Sequence, residues 1–393
     1  MIMKVKKGFC SLLVLCLVIS SVQISAYGNT ETQKFQSESY VLMEASSGKV
    51  LLEHNSHQAL PPASITKVMT MLLIYEAVEA GKIKWEDEVT ISEHAAHMGG
   101  SQVYMEPGEI QTVRDLLKCI AIASANDAAV AMGEYIAGSE EGFVDLMNKR
   151  AKEIGMKDTL FKNACGLHSE GHVSSAYDIA ILSRELMMNF PEVSKILTIW
   201  MDSITHKTRR GESEFGLTNT NRLIKAYTGV TGLKTGYTSQ SKHCMSATAN
   251  RNDMDLIAVV LAAPDSKVRF KEAAQLLDYG FANYVVKKGH SKDEILGQAA
   301  IFKGDKTHLE YSVKETMSMV MPKGKSNEEM SHEIVMNPNL TAPIQKGDVI
   351  GHATYFIGDK NVGEVPLVAA FDVNKAKYSH MLKYIFRSYF KPY

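Results

Sequence analysis

From Val68 to Ile74 the chain is apolar on every side of a helical wheel: Val68, Met69, Met71, Leu72, Leu73 and Ile74 leave no polar face. Such a run predicts a helix buried inside the protein. Pro61 and Pro62 precede it and suit a first helical turn, and Gly81 offers a stop. Helical periodicity continues through the middle of the chain, clearest over 113–136, 140–154 and 176–189. Strand patterns flank this helical block. "SYVLMEASSGKVLLEHN" (39–55) reads as a hairpin, and 229–238, 242–251 and 255–264 read as strands. Residues 269–286 are helical again. The pattern predicts an α/β (α+β) unit: one antiparallel sheet, built from an early hairpin and three late strands, with a mostly helical insertion between them.

This unit spans 37–286. "KKGHSKDE" then reads as a linker, and 293–370 as a small β-rich domain with short alternating strands and turns such as "PKGKSN" and "NPNL". The last stretch, 374–393, differs from both. Tyr378, Met381, Leu382, Ile385, Phe386 and Tyr389 fall at helical spacing, while Lys375, Lys383, Arg387 and Lys391 line an opposing face. It is too short and too charged to cross a bilayer, and it predicts an amphipathic helix lying on an anionic membrane surface. At the other end, Lys4, Lys6 and Lys7 precede "GFCSLLVLCLVIS" and a small-residue stretch. That order predicts a signal peptide over 1–26, cleaved after Ala26. Together the two ends predict an exported protein lying on the outer face of a membrane.

Composition narrows the chemistry. A formal charge of −1 with 22% charged residues gives no basic field, so nucleic acid is not an expected partner. Removing the signal leaves Cys119, Cys165 and Cys244, whose spacing suggests neither a disulfide framework nor a zinc site. Of the histidine pairs, His94/His97 lacks a third ligand nearby, and Gly171 argues that His168/His172 sit in a loop. No metal or cofactor is expected.

Candidate chemistry begins at "PPASITKVMT". Ser64 and Lys67, at i and i+3, share one face at the start of the buried helix. That is either an N-cap with a chance neighbour or an activated nucleophile. Four serine–lysine pairs of this spacing occur, and of these Ser64 alone opens a long apolar helix. Two further pieces follow in order. Ser124-Ala125-Asn126 is the sole Ser-x-Asn of the chain, and Lys234-Thr235-Gly236 the sole Lys-Thr-Gly.

The set Ser-x-x-Lys, Ser-x-Asn and Lys-Thr-Gly marks penicillin-binding proteins and class A β-lactamases. With the flanks "NACGLHSEGHVSSAYDIA" and "VTGLKTGYTS", the chain resembles the low-molecular-weight penicillin-binding proteins, D-alanyl-D-alanine carboxypeptidases, from about residue 37 to its end. The resemblance implies a β-lactamase/transpeptidase-like catalytic domain acting on peptidoglycan stem peptides that end in D-Ala-D-Ala, and inhibited by β-lactams. It implies that Ser64 is the nucleophile and Lys67 its general base, with Lys234 as the second cation that lowers the Lys67 pKa. Ser124 would relay a proton to the leaving amine, and Asn126 would orient Lys67 and bind the substrate amide. Backbone N–H groups of Ser64 and Tyr237 would form the oxyanion hole. Lys234, Thr235, Gly236, Tyr237 and Arg269 would bind the substrate, Thr235, Lys234 and Arg269 through its carboxylate.

Rival readings are a D,D-endopeptidase of cross-links, a β-lactamase and an idle wall-binding protein. Glu185 is the one candidate for a deacylating glutamate, and its helical pattern predicts a solvated helix residue instead. An intact triple argues against an idle binder, which has no need of Lys67. Cys165 in "NACGL" and the polar "TSQSKHC" depart from the family's wording, away from the catalytic positions.

Overall fold

The structure, a computed structural model, describes residues 35–208, 211–325 and 328–377. The expected signal peptide (1–26) and nearly all of the expected amphipathic helix (378–393 of 374–393) lie outside the described residues.

The first core is built on a five-stranded antiparallel sheet. Its strands are β1 (Ser39–Glu44), β2 (Val50–His54), β3 (Val230–Thr238), β4 (Lys242–Arg251) and β5 (Met254–Ala263), in the order β2-β1-β5-β4-β3. The register joins the early hairpin to the late strands: Met43 faces Ile257 across β1/β5, and Ala247 faces Ala258 across β4/β5. β5 is buried at nearly every position because the sheet is covered on both faces.

Helix α1 (Lys67–Glu79) buries Val68 to Tyr75 without a break, as its all-round apolar sequence demands. It packs against α2 (Asn126–Ala137) and α3 (Ala176–Asn189). Ser175 starts α3 by accepting a hydrogen bond from Asp178 N–H, and Asp265 does the same from Val268 N–H for α4 (Ser266–Asn283). The stretch 113–136, read from its periodicity as one helix, is broken. An α segment Val113–Lys118 passes into a π turn, Cys119–Ala123, and Ser124 leaves it with φ 63°. Ala125 N–H still bonds Cys119 O, and Asn126 N–H is drawn away to Ser101 O at 2.7 Å, so helical bonding restarts at Asn126.

Two other expectations shift. Helix α4 ends at Asn283, and Tyr284–Lys288 is a strand paired with Ser318–Pro322, so the first two linker residues are sheet. A hairpin, Met201–Thr208 with Gly211–Thr218, occupies a stretch that carried no strand expectation. Beyond it, a second five-stranded sheet orders β6 (Ile295–Ala300), β7 (His308–Val313), β8 (Met330–Met336), β9 (Val349–Ile357) and β10 (Lys360–Ala369) as β6-β7-β10-β9-β8. It encloses a separate core around Leu309, Val313, Ala353, Tyr355 and Leu367.

Candidate active site

Ser64 lies on a short 3₁₀ turn, Ala63–Thr66, and Lys67 is the first residue of α1. A 3₁₀ turn aligns residues three apart, which brings Lys67 Nζ to 3.1 Å from Ser64 Oγ. The turn is held in an unusual shape. Ala63 has φ 49°, in the left-handed region, and its carbonyl accepts from Thr66 Oγ1 at 2.8 Å. Gly166 presses on the same carbonyl: a Cβ there would stand 1.9 Å from Ala63 O, at a φ of +86°, so no side chain is possible without moving the turn.

His172 supports the turn from below. Lys162 N–H donates to its Nδ1 at 3.2 Å, which leaves the proton on Nε2, 2.8 Å from Thr66 Oγ1. The chain of donors runs His172 to Thr66 to Ala63 O, next to Ser64. Burial pulls the His172 pKa down to about 4, so the ring is a neutral strut.

Lys67 is fully buried, and its amine has two further partners, Asn126 Oδ1 at 2.6 Å and Cys165 O at 2.7 Å. Both are acceptors only. A neutral amine must give its two N–H bonds to them, and its lone pair then faces Ser64 Oγ. Burial lowers the Lys67 pKa to about 8, with Asp127 opposing the shift. Asn126 is itself fastened, its Nδ2 donating to Gly99 O at 2.6 Å. Asp127 ties the same loop down by accepting from Val103 N–H and Met105 N–H. Ser124, buried, opens the Ser-x-Asn motif on the left-handed kink.

The Lys-Thr-Gly segment lies on β3, at the edge of the sheet, and packs against the Ser64 turn. Gly236 explains the glycine: a Cβ there would be 3.0 Å from Pro62 O and 3.1 Å from Ser64 N. Lys234 is buried, and its pKa lies well below the usual lysine range through burial, the Lys67 cation and Arg269, in that order. Burial is the largest cause for both lysines, and repulsion between the two cations adds to it. Thr235 Oγ1 donates to Thr220 Oγ1 at 2.7 Å. Tyr237, the next residue but one, is 60% exposed. Arg269 is buried on α4, with its guanidinium donating to Gly236 O at 3.0 Å and Cys244 O at 3.4 Å. It braces the backbone of β3 and β4, with burial lowering its pKa to about 10.

The structure therefore gathers Ser64, Lys67 and Asn126 by direct contact, and packs β3 against their turn. Sequence reasoning missed His172, the Cys165 carbonyl, Thr220 and the Gly99–Met105 loop, which reach the site from distant parts of the chain. Glu185 lies on α3 as expected and is partly exposed, and its carboxylate meets Arg150 at 2.5 Å while Arg150 also holds Glu76 at 2.7 Å. A glutamate committed to that cluster is a poor candidate for activating water.

Residues 26–265 match the family model for D-alanyl-D-alanine carboxypeptidase, and 284–375 match the C-terminal domain of penicillin-binding protein 5. The chain belongs to the D-alanyl-D-alanine carboxypeptidase family. It is 45% identical over 348 residues to D-alanyl-D-alanine carboxypeptidase DacF of Bacillus subtilis (strain 168), covering 88% of each chain. Penicillin-binding protein 5 from Haemophilus influenzae has a similar structure, with TM-score 0.71 and 32% identity over 87% of this chain and 98% of that one. A D-alanyl-D-alanine endopeptidase of Pseudomonas aeruginosa is 30% identical over 62% of this chain and 77% of its own. The carboxypeptidase likeness thus extends over much more of the chain than the endopeptidase one.

Proposed function

We propose that this chain is a serine-type D-alanyl-D-alanine carboxypeptidase that removes the terminal D-Ala of peptidoglycan stem peptides through an acyl-enzyme on Ser64. The observation that carries this reading is the Lys67 amine, aimed at Ser64 Oγ by two acceptors that leave it one free direction. Lys67 takes the serine proton as Oγ attacks the carbonyl between the two D-alanines. The C–N bond breaks, Ser124 passes a proton to the departing amine, and D-Ala leaves. Water then cleaves the ester and restores Ser64. In this reading the oxyanion is held by the N–H groups of Ser64 and Tyr237, and the close approach of Gly236 to Ser64 N supports it. Lys234, Thr235 and Gly236 form the strand edge beside which the substrate's terminal carboxylate binds, and Arg269 adds positive charge behind it.

β-Lactams are inhibitors in this reading, because they acylate the same serine and leave slowly. The test is intact-mass spectrometry of the protein mixed with benzylpenicillin, followed over time with peptide mapping. A slowly decaying adduct on Ser64 is expected. Lys67→Ala is expected to slow acylation by about a thousandfold, in the range of a lost general base. No adduct, or rapid turnover of the drug, would overturn the reading in favour of an idle binder or a β-lactamase.

Export and attachment to the outer face of the cytoplasmic membrane belong to the same proposal and rest on the sequence pattern of 1–26 and 374–393. Deleting 374–393 is expected to move the protein from the membrane fraction to the soluble one.

A further inference from the structure

Tyr237 and His243 face each other across β3/β4 and stack, with ring centroids 4.5 Å apart and planes 29° from parallel. Three observations make this pair more than surface filling. Tyr237 follows Gly236 directly, and Gly236 touches the Ser64 turn. Strand alternation puts the Tyr237 side chain on the same face as Thr235, one position removed. Among the described residues, the two buried side-chain nitrogens that lack a partner are His243 Nδ1 and Arg269 Nε. Nδ1 thus makes no hydrogen bond that would fix the imidazole, while the ring stacks on Tyr237.

We infer that His243 is a positioning residue that holds the Tyr237 ring as a wall beside the leaving D-Ala, so that the site accepts a small C-terminal residue and rejects bulkier ones. The inference rests on the proposed function. The chemistry is simple. In the proposed function Thr235, Lys234 and Arg269 bind the carboxylate end of the substrate at the β3 edge of the sheet, and strand alternation puts Tyr237 on the Thr235 face of that edge. A tyrosine freed from its stacking partner gains rotamers, and the wall gives way to a larger leaving group. Arg269 of α4 and Asp265, which caps that helix, are the charged groups that act on His243. Burial and then Arg269 lower its pKa, which favours the uncharged ring as a stacking partner.

The experiment compares kcat/KM for two acetylated peptides, one ending D-Ala-D-Ala and one ending D-Ala-D-Leu, on the full chain. His243→Ala is expected to lower the preference for D-Ala about tenfold, chiefly through gain on the D-Leu peptide. His243→Phe, which keeps a ring to stack and drops both nitrogens, is expected to retain the preference within about twofold. Tyr237→Ala is expected to match His243→Ala, and the double variant to fall no further, because both singles remove the same wall. An unchanged preference in either alanine variant would sink the inference. So would a His243→Phe loss as large as that of His243→Ala, or single-variant losses that multiply. If His243→Ala does not fold, Tyr237→Ala, at an exposed side chain, and His243→Phe decide the matter. Wild type that neither takes benzylpenicillin on Ser64 nor releases D-Ala would instead refute the proposed function itself.

Discussion

The two five-stranded sheets of this chain bury their residues by opposite rules. The core around Leu309, Ala353 and Leu367 is apolar, and Ser312 is the one buried polar residue of that region among those described. Its left-handed residues, Asp293, Lys303 and Asn339, lie in exposed turns, where such a backbone is cheap. The catalytic side buries Lys67, Lys234, Asp127, Arg269 and His172, and keeps Ala63 and Ser124 left-handed in the interior. Burying a cation and straining a backbone both work against stability. A region that does so beside a region that does not shows where the fold has been committed to chemistry.

That contrast is broken most severely at Gly166. Gly166→Ala puts a methyl group onto Ala63 O and is expected to cost at least ~4 kcal/mol or to displace the Ser64 turn. The benzylpenicillin acylation rate should be almost abolished, and denaturant melts with mass spectrometry report both effects. Gly358→Ala provides the matched control in the β region. It also has positive φ, yet a Cβ there meets nothing within 4 Å. It should cost only about 1 kcal/mol and leave acylation intact. Next in size is Leu367→Ala, which empties part of the β core and should cost about 3 kcal/mol. Acylation per folded molecule is expected to stay unchanged. A matching loss of acylation would show that the two regions are energetically coupled at the active site.

His172 gives the contrast a pH signature. Its pKa is about 4 when folded, against 6.5 unfolded. Between these values the unfolded chain binds the extra proton, so stability falls as the pH drops from about 6.5 to about 4 and levels off below. The upper bound on that loss is roughly 3.5 kcal/mol, from about 1.4 kcal/mol for each pH unit. His172→Gln keeps a donor for Thr66 and has no charge to gain, so its melting midpoint should lose this acid sensitivity. Equal sensitivity in the variant would assign the effect to other groups.

The three motifs were legible because each is contiguous and its residue types suit one chemistry. Helices α1 and α3 and strand β4 were legible from apolar periodicity, since burial on one or all sides leaves a local trace. What was lost depends on contacts between distant residues. The 3₁₀ turn under Ser64 is shaped by Gly166, and His172 acts through Thr66, each about a hundred positions away. The kink at Ser124 interrupts an apolar pattern that stays apolar on both sides, so periodicity runs straight through it. The hairpin at 201–218 exposes most of its side chains and offered few buried positions to mark its strands.

The smallest effect is also the one that tests the active site most directly. With a pKa of about 8, Lys67 is only about one-tenth neutral at pH 7. If the neutral amine is the base, acylation by benzylpenicillin should rise about tenfold between pH 7 and pH 9 and then level off, a difference of about 1.4 kcal/mol in barrier. The sign follows from the charge: a cation whose pKa is lowered by burial becomes reactive as the pH climbs through that lowered value. Leu367→Ala should show the same curve, since nothing in the β core touches Lys67. Asn126→Ala should change it, because the amine loses one of the two acceptors that fix its lone pair on Ser64. A flat profile in the wild-type protein would make Lys67 a buried structural cation and would leave the serine without its base.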